Sequence, residues 1–156
     1  MKSKESSRKV LFVCYANICR SPMAEAILRD ISSKEKLNII VDSAAMADQY
    51  CGAFATWGAV KEMKKRGLDI TKHVSKPIDK LNLSKYDLIL TMECNQRENI
   101  LADHPQFEGR IFTLANYAGH SEDIRDPIHT CKYSECADQL EIYLIEIAER
   151  LADRNN

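Results

Sequence analysis

The chain has 156 residues, and its 22 Lys and Arg against 23 Asp and Glu leave a formal net charge of −1, so neither a nucleic acid nor an anionic membrane surface is an expected partner. A hydrophobic share of 45% and a charged share of 29% suit one globular domain with a sizeable core, and the apolar run at Val10 is too short for a membrane span or a signal-peptide core. Six cysteines with no Cys-x2-Cys pair argue against a zinc site or a dense disulfide framework, so a reducing, cytoplasmic compartment is expected, with no metal and no organic cofactor.

Residues 1–9 (MKSKESSRK) are polar and charged and are expected to form a mobile tail; residues 10–156 are expected to form the single domain. Val10-Leu11-Phe12-Val13 is β-branched and aromatic, the pattern of a buried strand. A short loop follows, beginning at Cys14 and ending at Arg20. A helix is then expected over 22–33, with Ser21 as N-cap, Pro22 at the first helical position and Glu25 as acid in the first turn. Met23, Ile27 and Ile31 share one face of it and are core positions.

A strand entering a tight loop and then a helix N-terminus makes an anion site, because loop amides and the helix dipole both favour negative charge there. Cys14 stands at the carboxyl end of the strand, where open α/β sheets place their ligands. Helix N-termini and cations favour thiolates over thiols. Arg20 brings a planar donor fork that matches two oxygens of a phosphate, and the Ser21 hydroxyl is near enough in sequence to hydrogen-bond the sulfur. A nucleophile beside an oxyanion cradle points to phosphoryl transfer through a phosphocysteine. The bare Cys-x5-Arg spacing would be weak evidence by itself.

The full stretch is specific. Cys14-Tyr15-Ala16-Asn17-Ile18-Cys19-Arg20-Ser21-Pro22, followed by Met23-Ala24-Glu25-Ala26, closely resembles the phosphate loop of low-molecular-weight protein tyrosine phosphatases, with Ala16 where that family usually has Gly. The resemblance implies a three-layer α/β/α fold with a four-stranded parallel sheet in order 2-1-3-4 and the phosphate-binding loop after the first strand. It implies that Cys14 is the nucleophile, that Arg20 and the amides of residues 15–20 hold the phosphate, and that Tyr15, Ala16, Asn17, Ile18, Cys19 and Ser21 belong to the substrate site. It also implies that Cys19 forms a reversible disulfide with Cys14 that protects it from over-oxidation; a buried, inert thiol is the other reading of Cys19.

Further along, 38–43 (NIIVDS) is expected to be the second strand. Val41-Asp42-Ser43-Ala44-Ala45 again resembles the family, which implies that Ser43 hydrogen-bonds Asn17. The loop over 46–56 has no periodicity; the resemblance implies an aromatic wall for the substrate cleft here, with Tyr50 the first candidate and Gln49 its neighbour. Phe54 and Trp57 are expected to be packing residues. The family often carries an Asp and an Arg near this point, and the chain has Thr56 and Gly58 instead. A helix is expected over 57–66, with Val60, Met63 and Trp57 inward and Gly67 as the residue after its C-cap. The resemblance implies that His73 supports Asn17; the plainer reading is a surface or structural histidine.

The run 86–92 (YDLILTM) is the clearest internal strand, a helix is expected over 94–102, and 110–114 (RIFTL) reads as the fourth strand. The loop over 115–129 is long for a compact domain and so a candidate for function. It holds Asp126-Pro127, and the resemblance implies that Asp126 is the general acid. Pro127 restricts Asp126 to extended geometry. Where many family members have two tyrosines next, this chain has Ile128-His129. The last helix is expected over 134–153, with Leu140, Tyr143, Leu144, Ile147 and Leu151 as its apolar stripe.

Strands alternating with helices imply a parallel sheet with right-handed crossovers. The expected function is hydrolysis of phosphotyrosine and small aryl phosphate monoesters. Phosphotyrosine proteins are then the partners, inorganic phosphate the product, and the chain a monomer or weakly self-associating. Three alternatives share parts of the pattern. An arsenate reductase needs relay cysteines, and Cys94 has no second Cys near it. A protein arginine phosphatase resembles this loop with Thr in place of Ile18. A non-catalytic phosphoprotein-binding module would not require Asp126.

Overall fold

The computed structural model describes residues 7–154. Four parallel strands form one sheet in the order β2-β1-β3-β4: β1 (Arg8–Cys14), β2 (Ile39–Ala45), β3 (Leu88–Thr91) and β4 (Ile111–Thr113). The helices are α1 (Arg20–Lys34), α2 (Trp57–Lys65), α3 (Cys94–Asp103), a single turn α4 (Leu114–Tyr117) and the long α5 (Tyr133–Arg154). The expected strand order and layers are therefore present. β1 begins at Arg8, so Arg8 and Lys9 belong to the sheet rather than to a tail, and residues 1–6 of that expected tail lie outside the described residues.

Both faces of the central strand are buried, which explains its unbroken apolar run. Successive side chains point to opposite faces. Val10 and Phe12 therefore enter one core with Met23, Leu28 and the α5 stripe Leu140, Tyr143, Leu144, Ile147 and Leu151. Leu11 and Val13 enter the other, with Ile89, Ile100 and Ile111. Each such large side chain taken from water contributes about 1.5–3 kcal/mol.

Two helix ends are fixed by left-handed residues. Gly67 (φ 80°) closes α2: its N–H donates to the Lys64 carbonyl, and Leu68 N–H donates to that of Met63. Lys36 (φ 55°) closes α1 with the same paired bonds, to Ser33 and Ser32, a role the sequence did not advertise because glycine usually takes it.

The helix start at Ser21 is corrected. α1 begins at Arg20, and Cys19 holds the N-cap position without a side-chain cap. Ser21 lies inside the first turn with its hydroxyl committed to the loop, and Pro22 still lacks only an N–H that no helical carbonyl awaits. Glu25 consequently falls beyond the first turn and serves Ser43 and Arg29 instead. Phe54 and Trp57 are also corrected: they are 68% and 75% exposed and do not pack inward. Trp57 begins α2 on its solvent side, with the Lys61 ammonium 4.8 Å from its ring centroid.

Candidate active site

β1 delivers Cys14 to the edge of the sheet, and the chain turns at once into the N-terminus of α1. The turn requires one left-handed residue, Asn17 (φ 56°), fully buried. Asparagine tolerates that backbone where its side chain is held, and here every polar atom of the side chain is engaged. Its Nδ2 donates to Ser21 Oγ (2.7 Å) and Ser43 Oγ (3.0 Å), and its Oδ1 accepts from Lys76 N–H (3.2 Å). His73 Nε2 lies 2.7 Å from the Asn17 carbonyl, so His73 bonds the backbone of Asn17 rather than its side chain.

Ser75 Oγ donates to the Ala16 carbonyl (2.8 Å), and Thr56 N–H donates to that of Ile18 (2.7 Å). The loop is thus braced from 43, 56 and 73–76. Ser75, Lys76 and Thr56 are supports that the sequence did not single out. Only their place after His73 and before α2 could have suggested them.

Cys14 is 3% exposed, and its Sγ sits 2.9 Å from Ser21 Oγ and 3.3 Å from the Asn17 amide. An amide and a hydroxyl thus converge on one sulfur. Arg20 is equally buried, and its Nη1 donates to Glu93 Oε2 (2.8 Å) and to the Ile124 carbonyl (2.7 Å). Burial works against the Arg20 charge, but Cys14, the Glu93 hydrogen bond and Asp126 outweigh it and hold the guanidinium pKa above its ordinary value. Nη2 faces Asp126 Oδ2 at 3.6 Å, too far for a hydrogen bond. One edge of the fork is therefore spent on orientation and the other faces the acid.

Glu93 is itself fixed as the N-cap of α3, where its carboxylate and Gln96 form a reciprocal capping box. The Glu-x-x-Gln spacing was readable in the sequence; the reach to Arg20 was not.

Tyr15 and Tyr50 stand at the mouth, half and a third exposed, with ring centroids 6.5 Å apart in an edge-on pair. Ile18 and Cys19 are buried. Burial, helped by Cys136, Asp126 and Cys14, pushes the Cys19 thiol far up, so it stays protonated at neutral pH. Every sequence-predicted site residue, from Cys14 to Ser21 and at Ser43, Tyr50, His73 and Asp126, falls around this one loop. Among the described residues, no group of three or more His, Cys, Asp or Glu side chains is placed to hold a metal ion. The arrangement can hold a tetrahedral oxyanion against a buried sulfur, with a carboxyl group at its open side.

The comparisons agree with this geometry. A family model described as low molecular weight phosphotyrosine protein phosphatase matches residues 9–156. The chain is 33% identical to a protein-arginine-phosphatase of Bacillus subtilis (strain 168), over 91% of this chain and 95% of that protein. It is 34% identical to the low molecular weight protein-tyrosine-phosphatase YfkJ of the same organism, over 81% and 84%. The crystal structure of YfkJ superposes with a TM-score of 0.91 at 26% identity, covering 99% of this chain and all of that one. A phosphate-loop fold with these matches over nearly its whole length places the chain in the low molecular weight phosphotyrosine protein phosphatase family, whose members are hydrolases.

Proposed function

We propose that this protein hydrolyses phosphotyrosine monoesters in two steps. The observation that carries the reading is the convergence of buried Cys14 and Arg20 with Asp126, 3.6 Å from the guanidinium. Cys14 thiolate attacks phosphorus while Arg20 and the loop amides hold the equatorial oxygens. Asp126 protonates the leaving phenol oxygen, and the phosphocysteine remains. Asp126, now a carboxylate, takes a proton from water as it attacks phosphorus, releasing inorganic phosphate and the thiolate that Ser21 stabilises. The chemistry needs no metal or organic cofactor. Tyr15 and Tyr50 offer apolar faces to the substrate ring at the mouth. The absence of a helix long and apolar enough to cross a membrane, among the described residues, is compatible with a cytoplasmic site of action on phosphotyrosine proteins.

A relative that acts on phosphoarginine keeps a second substrate in play. Ile18 favours tyrosine on the resemblance of the loop, which implies Thr at this place for an arginine phosphatase.

The test compares wild type, Cys14→Ser and Asp126→Ala on p-nitrophenyl phosphate, then on phosphotyrosine and phosphoarginine peptides. Cys14→Ser is expected to abolish turnover, and Asp126→Ala to lower kcat/KM by roughly 10²–10⁴, the usual worth of a positioned acid. Undiminished turnover in Cys14→Ser sinks the mechanism. Faster release from phosphoarginine than from phosphotyrosine peptides moves the substrate assignment but leaves the mechanism standing.

A further inference from the structure

The loop carrying Asp126 is bonded largely to itself. Ile128 N–H donates to Asp126 Oδ1, Cys131 N–H to the Pro127 carbonyl, and Lys132 N–H to Thr130 Oγ1. Cys131 takes a left-handed backbone (φ 59°) to complete the turn. Pro127 is buried within the loop, and further anchors lie at the two ends. Upstream, fully buried Ile124 donates to the Met92 carbonyl and accepts from Arg20. Downstream, α5 begins at Tyr133.

Tyr133 has an unusual seat. Its ring lies against the first turn of α2 at Gly58: a Cβ on residue 58 would stand 2.2 Å from Tyr133 Cε2 and 2.4 Å from Cζ. No side chain larger than hydrogen fits beneath the ring. The adjoining Thr56 caps α2 by accepting from Ala59 N–H, and its side chain interacts with both the Tyr133 hydroxyl and the Cys19 thiol. Thr56 N–H also bonds the Ile18 carbonyl. The ring is therefore seated on a segment fastened directly to the phosphate loop. The bare backbone at Gly58 is what makes the seat.

We infer that Tyr133, docked on Gly58, is a positioning residue that sets Asp126 against the leaving-group oxygen. The inference rests on the phosphotyrosine-phosphatase reading above. With the seat intact, the acid is held at both ends of an eight-residue span. With it lost, the loop keeps its internal turns, its tether at Ile124 and the buried α5 stripe, but the first turn of α5 loses its contact with the segment fastened to the phosphate loop. Holding a proton donor in place matters most where the leaving oxygen is most basic.

The experiment measures kcat/KM over a series of aryl phosphates, from p-nitrophenyl to unsubstituted phenyl, for wild type, Tyr133→Ala, Tyr133→Phe, Gly58→Ala, Gly58→Ala/Tyr133→Ala and Asp126→Ala. Wild type should show a shallow dependence on leaving-group pKa and Asp126→Ala a steep one. Tyr133→Ala and Gly58→Ala should steepen it, losing about tenfold more on phenyl than on p-nitrophenyl phosphate. Tyr133→Phe should behave as wild type, because the ring supplies the contact. The double variant should be no worse than Tyr133→Ala, since removing the ring removes the clash. Adding Tyr133→Ala to Asp126→Ala should leave the slope unchanged.

An equal loss on both esters, no loss at all, or a slope change that persists without Asp126 overturns the inference. Tyr133→Ala alone decides the matter if Gly58→Ala does not fold. A wild type inactive on every aryl phosphate, or Asp126→Ala with the wild-type slope, counts against the phosphatase reading itself.

Discussion

Cys19 shows how one residue's surroundings set both its chemistry and its pace. It follows the loop that Cys14 opens and ends the turn that Asn17 begins, yet its thiol is buried beneath Thr56 and beside Cys136. Burial pushes the Cys136 thiol up too, to about 12. Peroxide would convert the Cys14 thiolate to a sulfenic acid, and Cys19 would close the disulfide as water leaves. The attacking species is the thiolate, and Cys19 has little of it at neutral pH because its pKa is raised. Bridge formation should therefore be slow at pH 7 and accelerate on the order of tenfold per pH unit toward alkaline solution, still short of a plateau at pH 9. Mass spectrometry after rapid alkylation measures it. A closure rate flat between pH 7 and 9, or Cys14 sulfinic acid accumulating with no Cys14–Cys19 bridge, would show that Cys19 is not the resolving thiol.

The element scale is where sequence and structure agree most and diverge most instructively. The order of strands and helices was legible because β1 and β3 are buried on both faces and α5 carries a regular stripe; nothing else in the chain competes with those patterns. The placing of Cys14, Arg20 and Asp126 about one site was legible only because residues 14–22 and the Asp126-Pro127 pair resemble a known family; without that likeness Asp126-Pro127 reads as a turn. The short turns near 78–80 and 83–85, the true start of α1 and the fate of Phe54 and Trp57 were not legible. Each depends on contacts between segments far apart in sequence, and a large apolar residue looks the same in sequence whether a partner covers it or not. Their exposure has a measurable consequence. Phe54→Ala and Trp57→Ala should each change stability by no more than about 1 kcal/mol, the latter through the Lys61 contact. Met63→Ala, one turn and a half along α2 and fully buried, should cost about 2–5 kcal/mol. Urea unfolding separates the two cases; a loss above 2 kcal/mol for Trp57→Ala would mean that the ring packs in solution.

For the molecule as a whole, the site is a meeting point of segments that only the complete fold brings together. Residues 14–21 leave β1, Ser43 lies near the end of β2, 73–76 lie between α2 and β3, Glu93 caps α3, and Asp126 hangs before α5. The same long helix is tied to α2 by Arg66, the residue that caps α2, which bonds Glu62 of α2 and Asp138, Glu141 and the Ser134 carbonyl on α5. No fragment holding the phosphate loop alone keeps Arg20 aimed, because Glu93 and Ile124, which orient it, come from 73 and 104 residues further along. An oxyanion that binds the loop must then bind the native state and not the unfolded chain, so it stabilises the whole domain by RT ln(1 + [L]/Kd). At 100 times Kd that is about 2.7 kcal/mol, or roughly 5–10 °C in Tm for a chain of this size. Inorganic phosphate, the expected product, should raise Tm by that amount relative to chloride at matched ionic strength. Arg20→Met, which removes the fork, should keep the fold at a lower baseline Tm and lose most of the increment. An equal rise in Arg20→Met would mean that phosphate acts through general solvent exclusion, and the loop would have no claim as an oxyanion cradle.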